Sequence, residues 1–142
     1  MPGCILRVSG LEFDVDRYLN ASSFRPCAVF RRGYPRTPGS DRLSETSGFN
    51  LEISAESGDR VPAQIRDAVA FLASHQIELA RITSRPSIES VTLDFGWGFP
   101  IERASGQFNY FPPSFLAACG ALRIGIEISV YAISNRDEGE DV

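Results

Sequence analysis

Five arginines, Arg25, Arg31, Arg32, Arg36 and Arg42, fall in one Gly-, Pro- and Ser-rich stretch against a single acid, Asp41. That stretch carries a net +4 in a chain whose formal charge is −4. A local reversal of sign steers acidic partners or holds an oxyanion, because the guanidinium fork matches carboxylate and phosphate geometry. A solvated, proline-kinked loop has the same composition. Arg31, Arg32 and Arg36 are the candidate binding arginines. Tyr34 adds a ring, but one aromatic does not make a base-stacking platform. All 14 basic residues are Arg, and the overall acidity argues against a general nucleic-acid binder.

A second concentration is aromatic: Trp97, Phe99, Phe108, Tyr110 and Phe111 lie within fifteen residues. Such rings wall pockets and anchor interfaces. They also plug cores, and Trp97 and Phe99 share the parity of Phe95, which alternation sends inward. Trp97, Phe99 and Tyr110 are the candidates here. Tyr110, set among Gln107 and Asn109, is the one expected outside.

Catalysis leaves a fainter trace. A nucleophile needs a base beside it, and the only histidine, His75, sits at the flank of a helical pattern. Cys4, Cys27 and Cys119 lack CxxC spacing and stand among apolar neighbours, where free Cys acts as a small buried hydrophobe. One His and three scattered Cys form no zinc pattern. Asp14 and Asp16 read as a helix cap and a first-turn charge rather than a metal pair. Gly96-Trp97-Gly98 follows a strand but lacks the third glycine and the helix of a dinucleotide fingerprint. No catalytic residue, metal ligand or cofactor is assigned.

The elements that must position these residues follow from periodicity. Cys4–Ser9 alternates as a strand. Asp14 caps a short helix through Leu19, and Cys27–Arg31 is a short apolar strand. Phe49–Ile53 alternates again. A helix follows, capped near Asp59 with Pro62 in its first turn, and Ile65, Val69, Leu72, Gln76 and Leu79 mark its buried face. Glu89–Trp97 is a strand with Val91, Leu93, Phe95 and Trp97 on one side. Pro113–Cys119 is a helix stopped by Gly120 at C′. The last strand alternates most clearly, with Leu122, Ile124, Ile126, Ile128, Val130 and Ala132 assigned to the core. The order predicts an α+β fold: a ferredoxin-like β-α-β-β-α-β core with an additional α-β unit. The sheet is expected to be mostly antiparallel with helices on one face.

Several stretches together resemble the bacterial family designated domain of unknown function 4279: Ile5-Leu6-Arg7-Val8-Ser9-Gly10, Phe13-Asp14-Val15-Asp16, Pro26, Arg32-Gly33, Gly48-Phe49-Asn50-Leu51, and Phe115 to Leu122 running on to Tyr131. Members of that family often carry Trp where this chain has Phe49. The resemblance spans Ile5 to Ser134. It implies a small cytosolic bacterial α+β protein with no catalytic residues to transfer, and some similar proteins lie beside toxin genes and are read as immunity proteins.

The expectation is therefore a single domain over 1–134 and an acidic, disordered tail over 135–142. With no bilayer-spanning run and no signal-peptide stretch, a cytoplasmic location is expected. The chain reads as a protein-binding module rather than an enzyme, of the toxin-immunity type, with no membrane partner and with a homodimer open through an edge strand. The alternative is a small-molecule or anion-binding domain, or a minor enzyme, with a pocket near Trp97 and the Arg31–Arg32 loop.

Overall fold

A computed structural model describes residues 3–102 and 105–133; the tail expected over 135–142 lies outside the described residues. The strands are β1 (Gly3–Gly10), β2 (Ala28–Phe30), β3 (Ser47–Ser54), β4 (Ser90–Pro100) and β5 (Gly125–Ile133). The helices are α1 (Val15–Asn20), α2 (Val61–Ser74), α3 (Gln76–Thr83) and α4 (Pro113–Ala121). The fold is α+β, with one open five-stranded sheet in the order β2-β3-β1-β4-β5. Three of its pairings are antiparallel, and only β4 with β5 is parallel.

Alternation makes one sheet face the core. Cys4, Leu6 and Val8 on β1, Phe49 and Leu51 on β3, and Val91, Leu93, Phe95 and Trp97 on β4 are buried. They join one cluster with Val61, Ile65, Ala68 and Leu72 of α2, Leu79 and Ile82 of α3, and Phe115 and Cys119 of α4. Gly48 lets β3 pass close to its neighbours: a Cβ there would lie 2.0 Å from the Val8 carbonyl oxygen.

Local signals succeed where the reason is local. Asp14 caps α1, its carboxylate accepting from the Arg17 N–H. Asp59 does not cap α2; its carboxylate accepts from the Ser57 hydroxyl, and Arg60 holds the cap position without a side-chain bond. The expected helix through Leu79 is broken at His75, whose backbone (φ −124°, ψ 26°) ends α2 and begins α3. Val69 and Gln76, expected on the buried face, are exposed, while Gln64, unmarked by apolar periodicity, is fully buried. Its Nε2 donates to the carbonyls of Glu56, Ser57 and Gly96, tying the loop before α2 to β4.

α4 runs through Gly120 rather than stopping there. The C′ position falls to Arg123 at φ 57°. The Ile124 N–H reaches the Cys119 carbonyl (2.9 Å) and the Arg123 N–H the Gly120 carbonyl (3.1 Å), a Schellman motif with a non-glycine in the left-handed position.

β5 departs from its pattern: the alternating row predicts a core face, yet no residue of β5 is fully buried. It is the outer strand, and the helix layer reaches only its start. Ile124, just ahead of the strand, is buried; Ile126 is half-buried, and Ile128 and Val130 are exposed.

Candidate functional site

The arginines are the first group to locate. Between β2 and β3 the chain makes a long excursion folded back on itself by the Gly33 N–H to Ser44 carbonyl bond (2.9 Å), the Ser44 N–H to Tyr34 carbonyl bond (2.8 Å) and a bridge between Pro35 and Leu43. Arg31 is spent within the protein. Its Nη2 and Nε donate to the two Asp16 oxygens at 2.7 and 2.9 Å, and this guanidinium holds the Asp16 carboxyl below the usual carboxylate range. Arg32 Nη1 pairs with Glu12 at 3.1 Å. Both acids precede the arginine stretch in sequence, so its +4 is partly neutralised by distant residues.

Arg36 differs. Its guanidinium carbon lies 3.9 Å from the Phe30 ring centroid, and its Nε donates to the buried Ser44 hydroxyl at 3.1 Å. Stacking plus one hydrogen bond orients the group and uses one of its three nitrogens. Arg36 and Arg42 face a surface pocket of about 390 Å³ with Thr37, Ser40, Ser44 and Glu45 in its wall. Neither arginine makes an ion pair among the described residues. Of the five arginines, Arg36 and Arg42 are the two that line a pocket, whereas Arg31 and Arg32 are held in solvent-exposed pairs.

The aromatic stretch divides in two. Trp97 is 8% exposed. It stacks on Phe111 at 5.9 Å, and Phe111 stacks on Phe115 at 5.6 Å and meets Phe95 edge-on at 5.3 Å. Phe99 is half-buried at the end of β4. These rings close one end of the core and line none of the surface pockets described here. Phe108 and Tyr110 point outward, 96% and 73% exposed. They form one wall of a groove of about 500 Å³ whose other wall is α2, through Pro62, Ile65, Arg66 and Val69. Tyr110 is thus outside, as its neighbours suggested, and Phe108 joins it.

The two surfaces do not meet. Register places Ser47 of β3 and Ser90 of β4 at one end of β1, and Gly96 at the other. The arginine excursion enters β3 at the first end; the aromatic segment follows β4 from the second. Among the described residues the combined pocket expected around Trp97 and the Arg31–Arg32 loop is not formed, because Trp97 is core and the two loops leave opposite ends of the sheet.

The thiols and histidine are poor partners for nucleophilic chemistry. Burial, aided by the charge of Asp94, pushes the Cys4 thiol up to about 12, and burial raises Cys119 to about 11. Cys27, expected inside, is exposed, its Sγ 3.3 Å from the Asn50 carbonyl. The His75 ring stacks on Phe71 (4.4 Å) and tilts against Phe24 (5.5 Å), and its Nδ1 lies 3.1 Å from the Phe71 carbonyl. Among the described residues no group of three or more His, Cys, Asp or Glu side chains is arranged to hold a metal ion. No described helix is long and apolar enough to cross a membrane.

One polar feature had no sequence signal beyond alternation. On the sheet face away from the helices, Asp94 is buried yet accepts from Arg7 Nε (3.2 Å), Arg7 Nη2 (2.9 Å) and the Ser129 hydroxyl (2.7 Å). With its amide oriented to satisfy both ends, Asn50 accepts from Arg7 Nη1 at 3.1 Å. This belt ties β3, β1, β4 and β5 together from beneath. Compared with protein-family models, with curated proteins and with solved structures, the chain matches none.

Proposed function

We propose that the chain is a protein-binding module that works in the cytoplasm without catalysis, of the toxin-immunity type implied by its resemblance to the family of unknown function 4279. One observation carries this reading: Phe108 and Tyr110 stand almost wholly in solvent beside an apolar groove. Large rings held outside the core bury little of their own area, and aromatics are enriched among the anchors of interface hot spots. Arg66 in the same groove makes no ion pair among the described residues. The fitting occupant is a partner segment with an apolar anchor and an acidic flank. The strand order β2-β3-β1-β4, all antiparallel, supports a ferredoxin-like core, with α4 and β5 as the added α-β unit.

The test is selection from a random peptide display library on the immobilised protein, with the Phe108→Ser, Tyr110→Ser double variant as counter-target. Enrichment of peptides with an apolar residue beside acids, held by the wild type and released by the variant, is expected. No enrichment, or peptides held equally by both, would overturn the reading.

A second reading, an anion-binding domain, is favoured by the Arg36–Arg42 pocket. Inorganic phosphate titrated into ¹⁵N-labelled protein is expected to move the Arg36 Nε resonance and the amides of Thr37 to Thr46. The Glu45→Gln variant is expected to bind more tightly, since it removes the one carboxylate in the wall. An unmoved spectrum refutes it.

A further inference from the structure

Among the described residues β5 is an edge strand with little of the usual protection. Edge strands present unpaired N–H and C=O groups and are normally kept short, charged, bulged or covered. β5 is nine residues long, holds no Pro or Lys, and carries one charge, Glu127. The opposite edge, β2, is three residues long. Apolar side chains accompany the open backbone: Ile128, Val130 and Tyr131 are 44%, 58% and 46% exposed. Their direct neighbours on β4, Phe95, Trp97 and Gly98, are buried, so burial drops sharply between two adjacent strands.

We infer that β5 pairs antiparallel with β5 of a second copy about a two-fold axis at Ser129, continuing the sheet through both chains. This inference stands apart from the α2 groove. The occupant follows from the strand's own side chains. Ser129 is the midpoint of Gly125–Ile133, so a two-fold there overlaps all nine residues. On the helix side it sets Ile128 against the partner's Val130 and Ile126 against the partner's Ala132. On the other side it sets Glu127 against the partner's Tyr131, whose phenol can donate to the carboxylate. Apolar meets apolar and no like charges meet.

No other centre overlaps all nine residues. Centring on Glu127 opposes two carboxylates, and centring on Tyr131 loses four pairs. A parallel, in-register arrangement lays Glu127 beside Glu127. The antiparallel pair is isologous and closed, so assembly ends at the dimer. Ser129 is well held for this role, because its hydroxyl binds Asp94 and fixes the middle of β5 to β4.

Sedimentation velocity of the full chain from low to high micromolar concentration tests the inference. A dimer is expected, and Val130→Arg, at a position exposed in the single copy, should weaken it at least about tenfold while melting like the wild type. If Val130→Arg melts early, Ile128→Lys replaces it. The register is tested separately in a Cys27→Ser background, where Ser129→Cys should oxidise to a cross-linked dimer and Gly125→Cys should not. A chain that stays monomeric, a dimer untouched by the charged variant that folds, or cross-linking at Gly125 instead of Ser129 overturns the inference.

Discussion

Replacing the loop aromatics and the core aromatics in parallel separates binding surface from scaffold. Phe108 makes almost no contact with its own chain, so Phe108→Ser should change stability by no more than about 0.5 kcal/mol, as for most surface substitutions. Trp97→Ala removes a ring buried against Phe95 and Phe111, and losses of that kind run to about 3–5 kcal/mol. For a domain of this size each kcal/mol moves Tm by roughly 3–4 °C. Trp97→Ala should therefore melt about 9–20 °C early, on the order set by that slope, while Phe108→Ser melts within about 2 °C of the wild type. Differential scanning calorimetry, with urea unfolding followed by circular dichroism, reads both. Trp97→Phe should be milder than Trp97→Ala, because the indole N–H has no protein acceptor to lose. A Phe108→Ser loss above about 1.5 kcal/mol would refute the argument, since a solvent-exposed ring cannot supply it.

Arg123→Gly should stabilise the protein by about 0.5–1 kcal/mol, the left-handed strain of a non-glycine less the added entropy of glycine; a lower urea midpoint would contradict the Schellman assignment. Asp94→Ala should cost about 2 kcal/mol, because three hydrogen bonds go and Arg7, itself half-exposed, recovers part of its loss from water; a neutral result would remove the belt as a support of the sheet. Ellman's reagent at mildly alkaline pH should label Cys27 alone in the native protein and all three thiols in denaturant, burial holding Cys4 and Cys119 protonated; rapid native labelling of three would contradict their placement. Because Arg31 lowers the Asp16 pKa on folding, that contribution is present above the carboxylate's unfolded value and is lost as pH falls through the folded one. The Tm difference between wild type and Asp16→Asn should accordingly shrink toward strongly acidic pH, and a difference constant down to low pH would refute the pairing.

Much of the candidate site depends on contacts that no local pattern carries. The charge excess over Arg25–Arg42 was legible, but Glu12 and Asp16, which take Arg32 and Arg31, are far away in sequence. Their pairing, together with the pocket wall that Arg25 does not join, singles out Arg36 and Arg42. Trp97 and Tyr110 separated as alternation and polar neighbours suggested. Phe108 did not declare itself, since an apolar ring in a loop reads the same whether it plugs the core or leaves it. Cys27 sits in an apolar run like Cys4, yet β2 is an outer strand and Cys27 just precedes it.

What the chain's own order of residues determined was the list of elements and the face each turns inward, because hydrophobic period and capping act over a few neighbouring residues. Asp14 and the rows on β1 and β4 are of that kind. The tertiary structure alone decided how far burial extends. β5 has the cleanest alternation of any strand and stays largely exposed, because periodicity reports which face is apolar and not how far a helix lies over it. The helix layer reaches only the start of the fifth strand, and the apolar row beyond Ile126 remains in solvent until something else covers it.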